Sequence, residues 1–509
     1  MRSLIKDIEN ARRYRASKAG VRVSQRIRRI ITDTGGVCLE EADIDGYLSR
    51  AEILLKEFLE VFPTCRDVFV LRAPGRINLI GEHTDYNGLP VLPMAINRDI
   101  VLVASPRTDA GVQIRNTDAS LFPPREFDIS DTIKPYPAGD WGNYAKAATR
   151  SGGRLLADPS RGLLTGFNAV VDGNIPMASG LASSSALVVA FALATAKING
   201  IEIDRQDLAG ALACGEHYVG TRGGGMDQTV CLMAQENHAL LIDFFPIRAQ
   251  RVGLPPHCSF VVCHSTVAAP KSSTARTAYN LRAAESRIAS AALGVSLSKT
   301  TRAPGIVIDR LGDLCSENVG LSDSEVASLV EKTLRKEAYS IGEAAHLMDV
   351  DEEYVRNTFL ANFNDREMRE TGKLKLRSRC RHVLSEGRRV RRAVEALRAG
   401  ETNEFGRLMY ESHESCATDY EVSVPELDTL VEIAKEAGAL GSRLTGAGFG
   451  GCTISLVRND NVMKFMGSVE KRYYGQYLSG TKFEEAGKLH RADRMFVCKA
   501  VRGAGELFV

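Results

Sequence analysis

The sequence of 509 residues lacks the features that would place it in a membrane, in an oxidising compartment or on nucleic acid. No apolar run approaches the roughly eighteen residues of a membrane-spanning helix, and the N-terminus has no apolar signal core. Eleven cysteines are scattered without a C-x-x-C pair or a metal-like Cys/His spacing. The formal net charge is only +2, so nothing favours nucleic acid or an anionic membrane as the main partner. These absences predict a cytoplasmic protein with reduced, buried thiols and a small-molecule ligand.

The rest of the composition is typical of a globular protein, with 44% hydrophobic and 25% charged residues. The length allows about two to four domains. Residues 1–40 are rich in arginine and weakly periodic, which predicts an N-terminal extension of unknown use. Apolar spacing predicts an amphipathic helix over about residues 43–59, and branched residues predict strands at 68–71 and 99–105. Residues 295–375 favour helix and are interpreted as an insertion.

A basic run at residues 388–392 lies in a stretch whose apolar residues recur at helical spacing. Charged runs on such a helix usually face water. We therefore interpret this run as the solvated face of an ordinary helix rather than as a nucleic-acid site.

The most informative segment is the first motif, residues 72–87, Arg-Ala-Pro-Gly-Arg-Ile-Asn-Leu-Ile-Gly-Glu-His-Thr-Asp-Tyr-Asn. Its charged and hydrogen-bonding side chains stand between two apolar runs, and burying such groups is costly unless each finds a partner. Glu82, His83 and Asp85 fall within four positions beside Gly81 and offer more donors and acceptors than a turn needs. The motif therefore predicts a loop that binds a polyhydroxylated ligand.

The second motif, residues 172–186, is Asp-Gly-Asn-Ile-Pro-Met-Ala-Ser-Gly-Leu-Ala-Ser-Ser-Ser-Ala and precedes an apolar run that reads as a buried helix or strand. Gly180 permits close backbone approach, and the first N–H groups of a helix attract anions. Hydroxyl groups are supplied by Ser183, Ser184 and Ser185. The motif predicts a site for the phosphates of ATP, although it is neither a P-loop nor a Rossmann fingerprint. A serine-rich turn that caps a core helix is the alternative.

Two carboxylates frame a glycine-rich segment further along the chain. Glu216 stands eleven positions before Asp227, and three glycines precede the triplet Met-Asp-Gln that contains Asp227. Glycines at this point let the backbone approach a ligand and leave the acid free to point at it. Helix caps or surface acids are the alternative interpretation of both carboxylates.

The third motif, residues 444–451, is Leu-Thr-Gly-Ala-Gly-Phe-Gly-Gly. It follows a predicted helix over residues 425–437 and precedes a predicted strand over residues 452–457. Such a glycine-rich segment predicts a loop beside a ligand, with a tight turn in a sheet as the alternative.

Together the three motifs resemble those of the galactokinase family of GHMP small-molecule kinases, and the resemblance extends from about residue 69 to the C-terminus. The first motif resembles the galactokinase signature, and the second resembles Pro-x-x-x-Gly-Leu-Ser-Ser-Ser. One departure is Ala182, which stands where galactokinases usually have serine. The resemblance implies ATP and Mg²⁺ as cofactors and phosphoryl transfer to the anomeric hydroxyl of a sugar.

The resemblance also implies roles for individual residues. Asp227 is the implied catalytic base, and Arg76 is its partner, since a cation beside a carboxylate favours the ionised form. The implied sugar-binding residues are Glu82, His83, Asp85, Gly224 and Tyr279. The implied ATP-binding residues are Trp141, Asn143, Tyr144, Gly180, Ser183, Ser184 and Ser185. Magnesium would be held by Glu216 and by Ser183 or Ser184, between which the sequence does not choose. The residues implied to close beside the phosphates and the substrate are Gly446, Ala447, Gly448, Gly450 and Gly451.

Galactose is the expected substrate, with galactose 1-phosphate and ADP as products. Thr84, Asn87 and Tyr279 follow the galactose-type pattern, while N-acetylgalactosamine and other sugars such as arabinose are the alternatives. The family also contains galactose sensors that bind sugar and ATP without turnover and have lost two residues of the second motif. That motif has its full length here, which favours an enzyme.

The resemblance implies an α+β, two-lobed GHMP kinase fold. We expect a mixed sheet with helices in the N-terminal lobe, and helices with an antiparallel sheet in the C-terminal lobe. The predicted division is an extension over residues 1–40, a sugar- and ATP-binding lobe over 41–250 and a second lobe over 251–509 that carries the insertion. Sugar and ATP would bind between the lobes of a monomer, without nucleic acid or membrane.

Overall fold

The structure is a computed structural model. It describes residues 41–65, 67–130, 132–156, 164–215, 218, 223–267, 273–299, 307–361, 363, 367, 373–480 and 491–507. The predicted N-terminal extension lies outside these residues. Within them, no helix combines the length and apolar character needed to cross a bilayer.

Strands occur in both halves of the chain. In the described residues they are β1 (Phe69–Asn78), β2 (Pro93–Pro106), β3 (Gly111–Asn116), β4 (Arg125–Asp128), β5 (Phe167–Gly173), β6 (His238–Asp243), β7 (Arg248–Gly253), β8 (Cys258–His264), β9 (Gly441–Thr445), β10 (Cys452–Arg458), β11 (Met495–Cys498) and β12 (Gly505–Glu506).

Helices surround these strands. They are α1 (Glu41–Val61), α2 (Gly142–Leu156), α3 (Ser183–Ile198), α4 (Arg205–Gly215), α5 (Met226–Met233), α6 (Ser273–Ser298), α7 (Asp323–Thr333), α8 (Ile341–Leu347), α9 (Glu352–Phe359), α10 (Leu376–Ala399), α11 (Thr402–Ser415), α12 (Pro425–Glu436), α13 (Val462–Val469) and α14 (Arg491–Arg494). Helices α11 and α13 continue as π-helical turns over Cys416–Tyr420 and Glu470–Tyr477. Short 3₁₀ helices lie at Asp85–Asn87, Leu311–Cys315, Asn459–Asn461 and Leu478–Gly480.

The first sheet has the strand order β12-β1-β2-β5-β3-β4 and is mixed, because β3 and β5 run parallel while the other pairs are antiparallel. Its strand β2 is apolar on both faces. Val101 and Val103 of β2 pack in a core with α1, whereas Leu102 and Ala104 alternate with them and pack in the core that contains α3. Burial on both faces explains why the strand predicted at residues 99–105 is a nearly continuous apolar run.

Strand β1 extends beyond its predicted end at residue 71 and reaches Asn78, so the first half of the first motif is strand rather than loop. Pairing with β2 continues because the register shifts between Pro74 and Arg76, and a bulge of this kind accommodates proline in a sheet. A Cβ on Gly75 would lie 2.8 Å from the Leu181 carbonyl oxygen, so glycine lets the second motif pack directly on β1. The sequence did not predict this extension of β1, because proline and glycine usually interrupt strands.

The second sheet has the order β11-β8-β10-β9 and is antiparallel throughout. Helices α12 and α13 cover one face, and α11 packs in the core on the other. A separate core joins α6 and α10 to α7, α8 and α9, which confirms the helical character predicted for residues 295–375 in the described part of that range. Strands β6 and β7 form a further, two-stranded antiparallel sheet. The α+β architecture, with a mixed sheet and antiparallel sheets, is therefore confirmed.

The end of the chain returns to the first sheet. Glu506 of β12 pairs with Leu71 of β1, so the last strand belongs to the sheet that the N-terminal half builds. The predicted division into lobes at residue 250 stays a prediction, and this pairing lies across it.

Candidate active site

The three motifs meet at one cavity of about 610 Å³. The cavity is lined by β1, the loops that follow β1 and β5, the start of α3, the start of α5, helix α6 and the loop between β9 and β10. Its lining includes Arg76, Asp85, Ser183, Asp227 and Gly446. We call the loops the first-motif loop (residues 79–92), the second-motif loop (residues 174–182) and the third-motif loop (residues 446–451). Segments far apart in the chain thus face a common space.

Asp227 and Arg76, which both line this cavity, form a two-point ion pair. The Arg76 Nε and Nη2 atoms donate to the two Asp227 carboxylate oxygens at 2.7 and 2.9 Å. Asp227 lies in the first turn of α5, where the helix N-terminus favours negative charge. The remaining Arg76 nitrogen, Nη1, donates to the Gly180 carbonyl. A single guanidinium therefore joins the Asp227 carboxylate to the second-motif loop.

Asp85 and Gly224 are in direct contact, although only Asp85 of the two is among the residues that line the cavity. The Gly224 amide donates to Asp85 Oδ2 at 2.9 Å. A Cβ on Gly224 would come within 2.4 Å of the Asp85 backbone, so only glycine fits here. Burial raises the pKa of Asp85 to about 6, against the lowering effect of the Gly224 and Tyr86 amides.

Glu82 is buried, with 2% of its surface exposed, and connects two motifs. Its Oε1 accepts hydrogen bonds from the Gly446 amide at 2.6 Å and from Arg443 Nη1 at 3.3 Å, and its Oε2 accepts one from the Asn78 side chain. Burial raises the pKa of Glu82, while Arg443 and Arg76 oppose this shift. Glu82 lines the cavity, but much of its hydrogen-bonding capacity joins the first-motif loop to the third.

His83 stands in the left-handed region, with φ of 65°, and lies among aromatic rings. Its ring centroid is 4.7 Å from that of Tyr420 and 5.6 Å from that of Tyr279 on α6, and its Nδ1 lies 2.9 Å from the Tyr86 hydroxyl. Burial and the neighbouring His382 lower the pKa of His83 to about 3. The imidazole is therefore neutral near pH 7, and both His83 and Tyr279 line the cavity.

Backbone groups dominate the second-motif loop. Gly180 and Ala182 have φ of 77° and 62°, and α3 begins directly after them. The apolar run after the motif is thus helix. The Ser183, Ser184 and Ser185 side chains line the cavity beside the first turn of α3. This arrangement places the N-terminus of α3 and serine hydroxyls at one end of the cavity, which suits an anion.

The structure does not bring Trp141 into the cavity, whereas Asn143 and Tyr144 belong to its lining. The Trp141 ring packs edge-on against Phe122 with centroids 6.0 Å apart, and its Nε1 donates to the Pro123 carbonyl at 2.8 Å. The Asn143 side-chain oxygen accepts a hydrogen bond from the Tyr136 amide at 2.7 Å, and so it shapes the loop before α2.

The third-motif loop contributes Gly446, Ala447 and Gly448 to the cavity. Gly451 instead holds the base of the loop, where its amide donates to Val267 O and its carbonyl accepts from the Ser265 amide, both at 2.8 Å. Gly450, with φ of 130°, is not among the cavity-lining residues.

Glu216, the predicted magnesium ligand, lies outside the described residues. The described part of the chain contains no group of three or more His, Cys, Asp or Glu side chains that could hold a metal. The candidate ligand atoms at the cavity near the second motif include the serine hydroxyl oxygens, which suit a hard cation that also binds phosphate and water.

Sequence reasoning missed the C-terminal residues behind the first-motif loop. Arg443 of β9 and Glu386 of α10 are fully buried there. Arg389, interpreted as part of a solvated basic face, is only 12% exposed and donates from Nε to Glu386 Oε2 at 2.7 Å. Glu386 stands at the same helical spacing as Val383 and Val390, and an acid within an apolar stripe was the signal that could have revealed it.

The chain matches three family models: the galactokinase galactose-binding signature over residues 56–106, the GHMP kinases N terminal domain over residues 143–235 and the GHMP kinases C terminal model over residues 393–474. A galactokinase of Dictyostelium discoideum is 35% identical over 469 residues, which cover 86% of this chain and 91% of the relative. A galactokinase of Saccharomyces cerevisiae is 33% identical over 473 residues, which cover 83% and 88%.

Among solved structures, Lactococcus lactis galactokinase complexed with galactose is similar to this fold with a TM-score of 0.67. It is 28% identical, and the match covers 89% of this chain and 98% of that one. Together the three family models contain all three motifs.

Proposed function

The chain belongs to the galactokinase family of GHMP kinases, and we propose that it transfers the γ-phosphoryl group of ATP to the anomeric hydroxyl of galactose. Galactose is supported by relatives named galactokinase and by the galactose complex of the L. lactis enzyme. The observation that carries the mechanism is the Arg76 guanidinium, which binds both the Asp227 carboxylate and the Gly180 carbonyl. It holds a candidate base at the edge of the second-motif loop.

We assign the sugar to the end of the cavity that holds Glu82, His83, Asp85 and Tyr279. Asp85 uses Oδ2 for the Gly224 amide, which leaves acceptor capacity on its other oxygen for a ring hydroxyl. The aromatic rings beside His83 offer an apolar surface for the C–H face of a sugar. Acceptors at fixed positions suit a hexose with several hydroxyls.

We assign the ATP phosphates to the second-motif loop and the first turn of α3. The N–H groups of this turn and the hydroxyls of Ser183 and Ser184 are the donors, and the partial positive charge of the helix end favours the phosphates. Asn143 and Tyr144, on the same side of the cavity, would contact the nucleotide.

Magnesium fits this donor set, with Ser183 or Ser184 as candidate ligands beside phosphate oxygens and Glu216 as a further candidate by resemblance. When bound, the ion would neutralise charge on the phosphates. The catalytic contributions of the chain's own residues do not depend on which serine is the ligand.

In the transfer step, the anomeric oxygen forms a bond to the γ-phosphorus while the bond from that phosphorus to the leaving oxygen of ADP breaks. The hydroxyl proton passes to the Asp227 carboxylate. Asp227 can be a weak base, because little proton transfer is needed before the phosphoryl group has largely left ADP. Arg76 orients the carboxylate through two hydrogen bonds and adds positive charge near the transferred group.

A side-by-side turnover assay tests the proposal. ADP release would be coupled to an optical signal with galactose, N-acetylgalactosamine, arabinose and galacturonate as acceptors. We expect galactose to have the highest kcat/KM. Higher kcat/KM for another sugar would replace the substrate, and sugar binding without ADP release would contradict a kinase and favour a sensor.

The monomeric state and the cytoplasmic location expected from the sequence stay predictions. Light scattering on the purified chain tests the first of them.

A further inference from the structure

Side chains of the C-terminal half form hydrogen bonds with the backbone at the end of β1 and at the start of the first-motif loop. The Gly81 amide donates to Glu386 Oε1 at 2.9 Å, and Arg443 Nη1 donates to the Asn78 carbonyl at 3.1 Å. His382 Nε2 lies 3.0 Å from the Glu82 carbonyl. Glu386 and His382 belong to α10 and Arg443 to β9, so the loop is anchored across about 300 residues of chain.

These anchors form one buried polar network. The Ser412 hydroxyl of α11 donates to Glu386 Oε1 and accepts from Arg443 Nε at 3.0 Å. Glu386 and Arg443 are both 0% exposed, and Glu386 Oε1 lies 3.9 Å from Arg443 Nη2. A buried ion pair seldom stabilises a fold more than apolar residues of the same volume would, because both charges lose their hydration. The contribution of the buried Glu386–Arg443 pair is instead geometric, because each hydrogen bond fixes the orientation of the two groups that it joins.

The same network includes a contact to Glu82, a carboxylate that lines the cavity. Glu82 Oε1 accepts hydrogen bonds from Arg443 Nη1 and, at 2.6 Å, from the Gly446 amide. This oxygen must therefore direct a lone pair at each donor. Burial alone would raise the pKa of Glu386, but Arg389 and Arg443 outweigh it and lower this pKa to about 2. Glu386 is thus a permanent acceptor for the Gly81 amide.

We propose that Glu386 and Arg443 are positioning residues for the sugar substrate, which act through the backbone of residues 78–82 and set the direction of the Glu82, His83 and Asp85 side chains. They do not line the cavity. This role rests on the proposed function, because it presumes that the first-motif loop binds the sugar. Loss of either residue should weaken sugar recognition and leave ATP recognition largely intact.

The molecule contains a matched control for a purely structural effect. Glu285 of α6 is 1% exposed, accepts the Lys375 amide at 2.6 Å and binds Arg379 Nε at 2.6 Å. Glu386 likewise accepts one backbone amide and one arginine Nε. The Glu285 pair joins α6 to α10 and has no hydrogen bond to the first-motif loop among the described residues.

The experiment compares Glu386→Gln with Glu285→Gln in the full chain, by the melting temperature and by KM for galactose and for ATP. We expect both substitutions to lower the melting temperature, since each weakens charge-assisted hydrogen bonds. Only Glu386→Gln should raise KM for galactose, by about ten- to a hundredfold, with KM for ATP changed less than about threefold. Equal changes in both KM values, or the same change in both variants, would contradict the positioning role.

A milder pair keeps the test decisive if Glu386→Gln does not fold. Ser412→Ala removes only the hydroxyl that joins Glu386 to Arg443. Ser290→Ala removes an equally buried hydroxyl that donates to Ile308 O. A selective rise in KM for galactose in Ser412→Ala supports the network, and its absence contradicts it. Wild-type turnover is measured first, so a chain that does not phosphorylate galactose would contradict the proposed function itself.

Discussion

The two ends of the cavity, which we assign to the sugar and to the ATP phosphates, are built in different ways. At the sugar end, the charged and polar side chains Glu82, His83 and Asp85 are each less than 10% exposed and already have protein partners. At the phosphate end, the donors are N–H groups of a helix start and serine hydroxyls, in a loop that contains Gly180 and Ala182 at positive φ. The sugar end is therefore preorganised by specific side chains, and the phosphate end by backbone conformation.

This difference predicts which substitutions matter. A buried side chain that is hydrogen-bonded to a specified partner cannot change without loss, because the partner is left unsatisfied in a buried place. A backbone N–H remains when the side chain is replaced. We expect large effects at the sugar end and at Asp227, and small effects in the second-motif loop.

The largest effect is expected for Asp227→Ala. The substitution removes the candidate base and leaves the Arg76 guanidinium without the two carboxylate bonds that orient it. We expect kcat to fall by about three orders of magnitude or more, with ATP binding retained. Steady-state kinetics with galactose measure the loss, and nucleotide binding is followed by calorimetry.

Asp207→Ala is the matched control for this change, because Asp207 is an exposed acid in the first turn of the neighbouring helix α4. Its kcat should stay within about twofold of wild type. Activity of Asp227→Ala within about tenfold of wild type would remove Asp227 from the mechanism.

Gly224→Ala should cause the next largest effect. The added methyl would stand within 2.4 Å of the Asp85 backbone, so the first-motif loop and the segment before α5 must separate. We expect KM for galactose to rise by roughly ten- to a hundredfold, since misplacement by a fraction of an ångström disturbs several hydrogen bonds at once. Kinetics at saturating ATP give this value.

The control is Gly210→Ala on α4, where a Cβ meets no atom within 4 Å. Alanine has the higher helix propensity, so this variant should be as active as wild type and stabilised by up to about 1 kcal/mol. Similar kinetics for the two glycine variants would mean that the close contact at Gly224 does not set the sugar site.

How much of the site could be predicted from the sequence depends on whether its contacts are near or distant along the chain. The three motifs could be found because their glycines and charged residues stand within a few positions of each other, and positive φ at Gly180, Gly446 and Gly448 is a local demand. Arg443 could not be assigned, because its partners Asn78 and Glu82 are more than 360 residues away. A contact of that separation leaves no spacing to detect.

The same reasoning explains why β1 is longer than predicted and why Trp141 lies outside the cavity lining. β1 continues past Pro74 only because β2 pairs with it on the far side of the bulge, and the chain at Pro74 carries no sign of that partner. Trp141 belongs to a motif-like segment, but its indole finds the Pro123 carbonyl nearby and packs on Phe122 instead of in the cavity. Tertiary partners decided both outcomes.

The titration of Asp85 should have a moderate, pH-dependent effect on KM for galactose. Its pKa in the folded chain is about 6, raised from 3.8 mainly by burial. The stability that protonated Asp85 contributes is therefore present below about pH 4 and is lost as the pH rises through about 6. Sugar binding has the opposite dependence, because the ionised carboxylate is the better acceptor. KM for galactose should rise by about tenfold from pH 7 to about pH 5, with KM for ATP nearly constant.

Asp85→Asn tests this assignment. The amide has the same shape without the titration, so KM for galactose should be raised at all pH values and lose its dependence near pH 6. A wild-type KM for galactose that is independent of pH between about 5 and 7 would show that Asp85 does not receive a sugar hydroxyl in its ionised form.

The smallest effect is expected at Ala182, where the sequence departs from the usual serine of the family. Ala182 has φ of 62°, a conformation that costs an L-residue about 1–2 kcal/mol and costs glycine little. Ala182→Gly should therefore raise the free energy of unfolding by up to about 1 kcal/mol, less the entropy that glycine loses on folding. Because α3 still presents the same N–H groups, KM for ATP in Ala182→Gly and Ala182→Ser should stay within about threefold of wild type. Denaturant unfolding and ATP kinetics measure both quantities.

A loss of ATP affinity larger than tenfold in Ala182→Ser would mean that side chains, and not only the backbone, decide recognition at the phosphate end. The contrast between the two ends of the cavity would then fail.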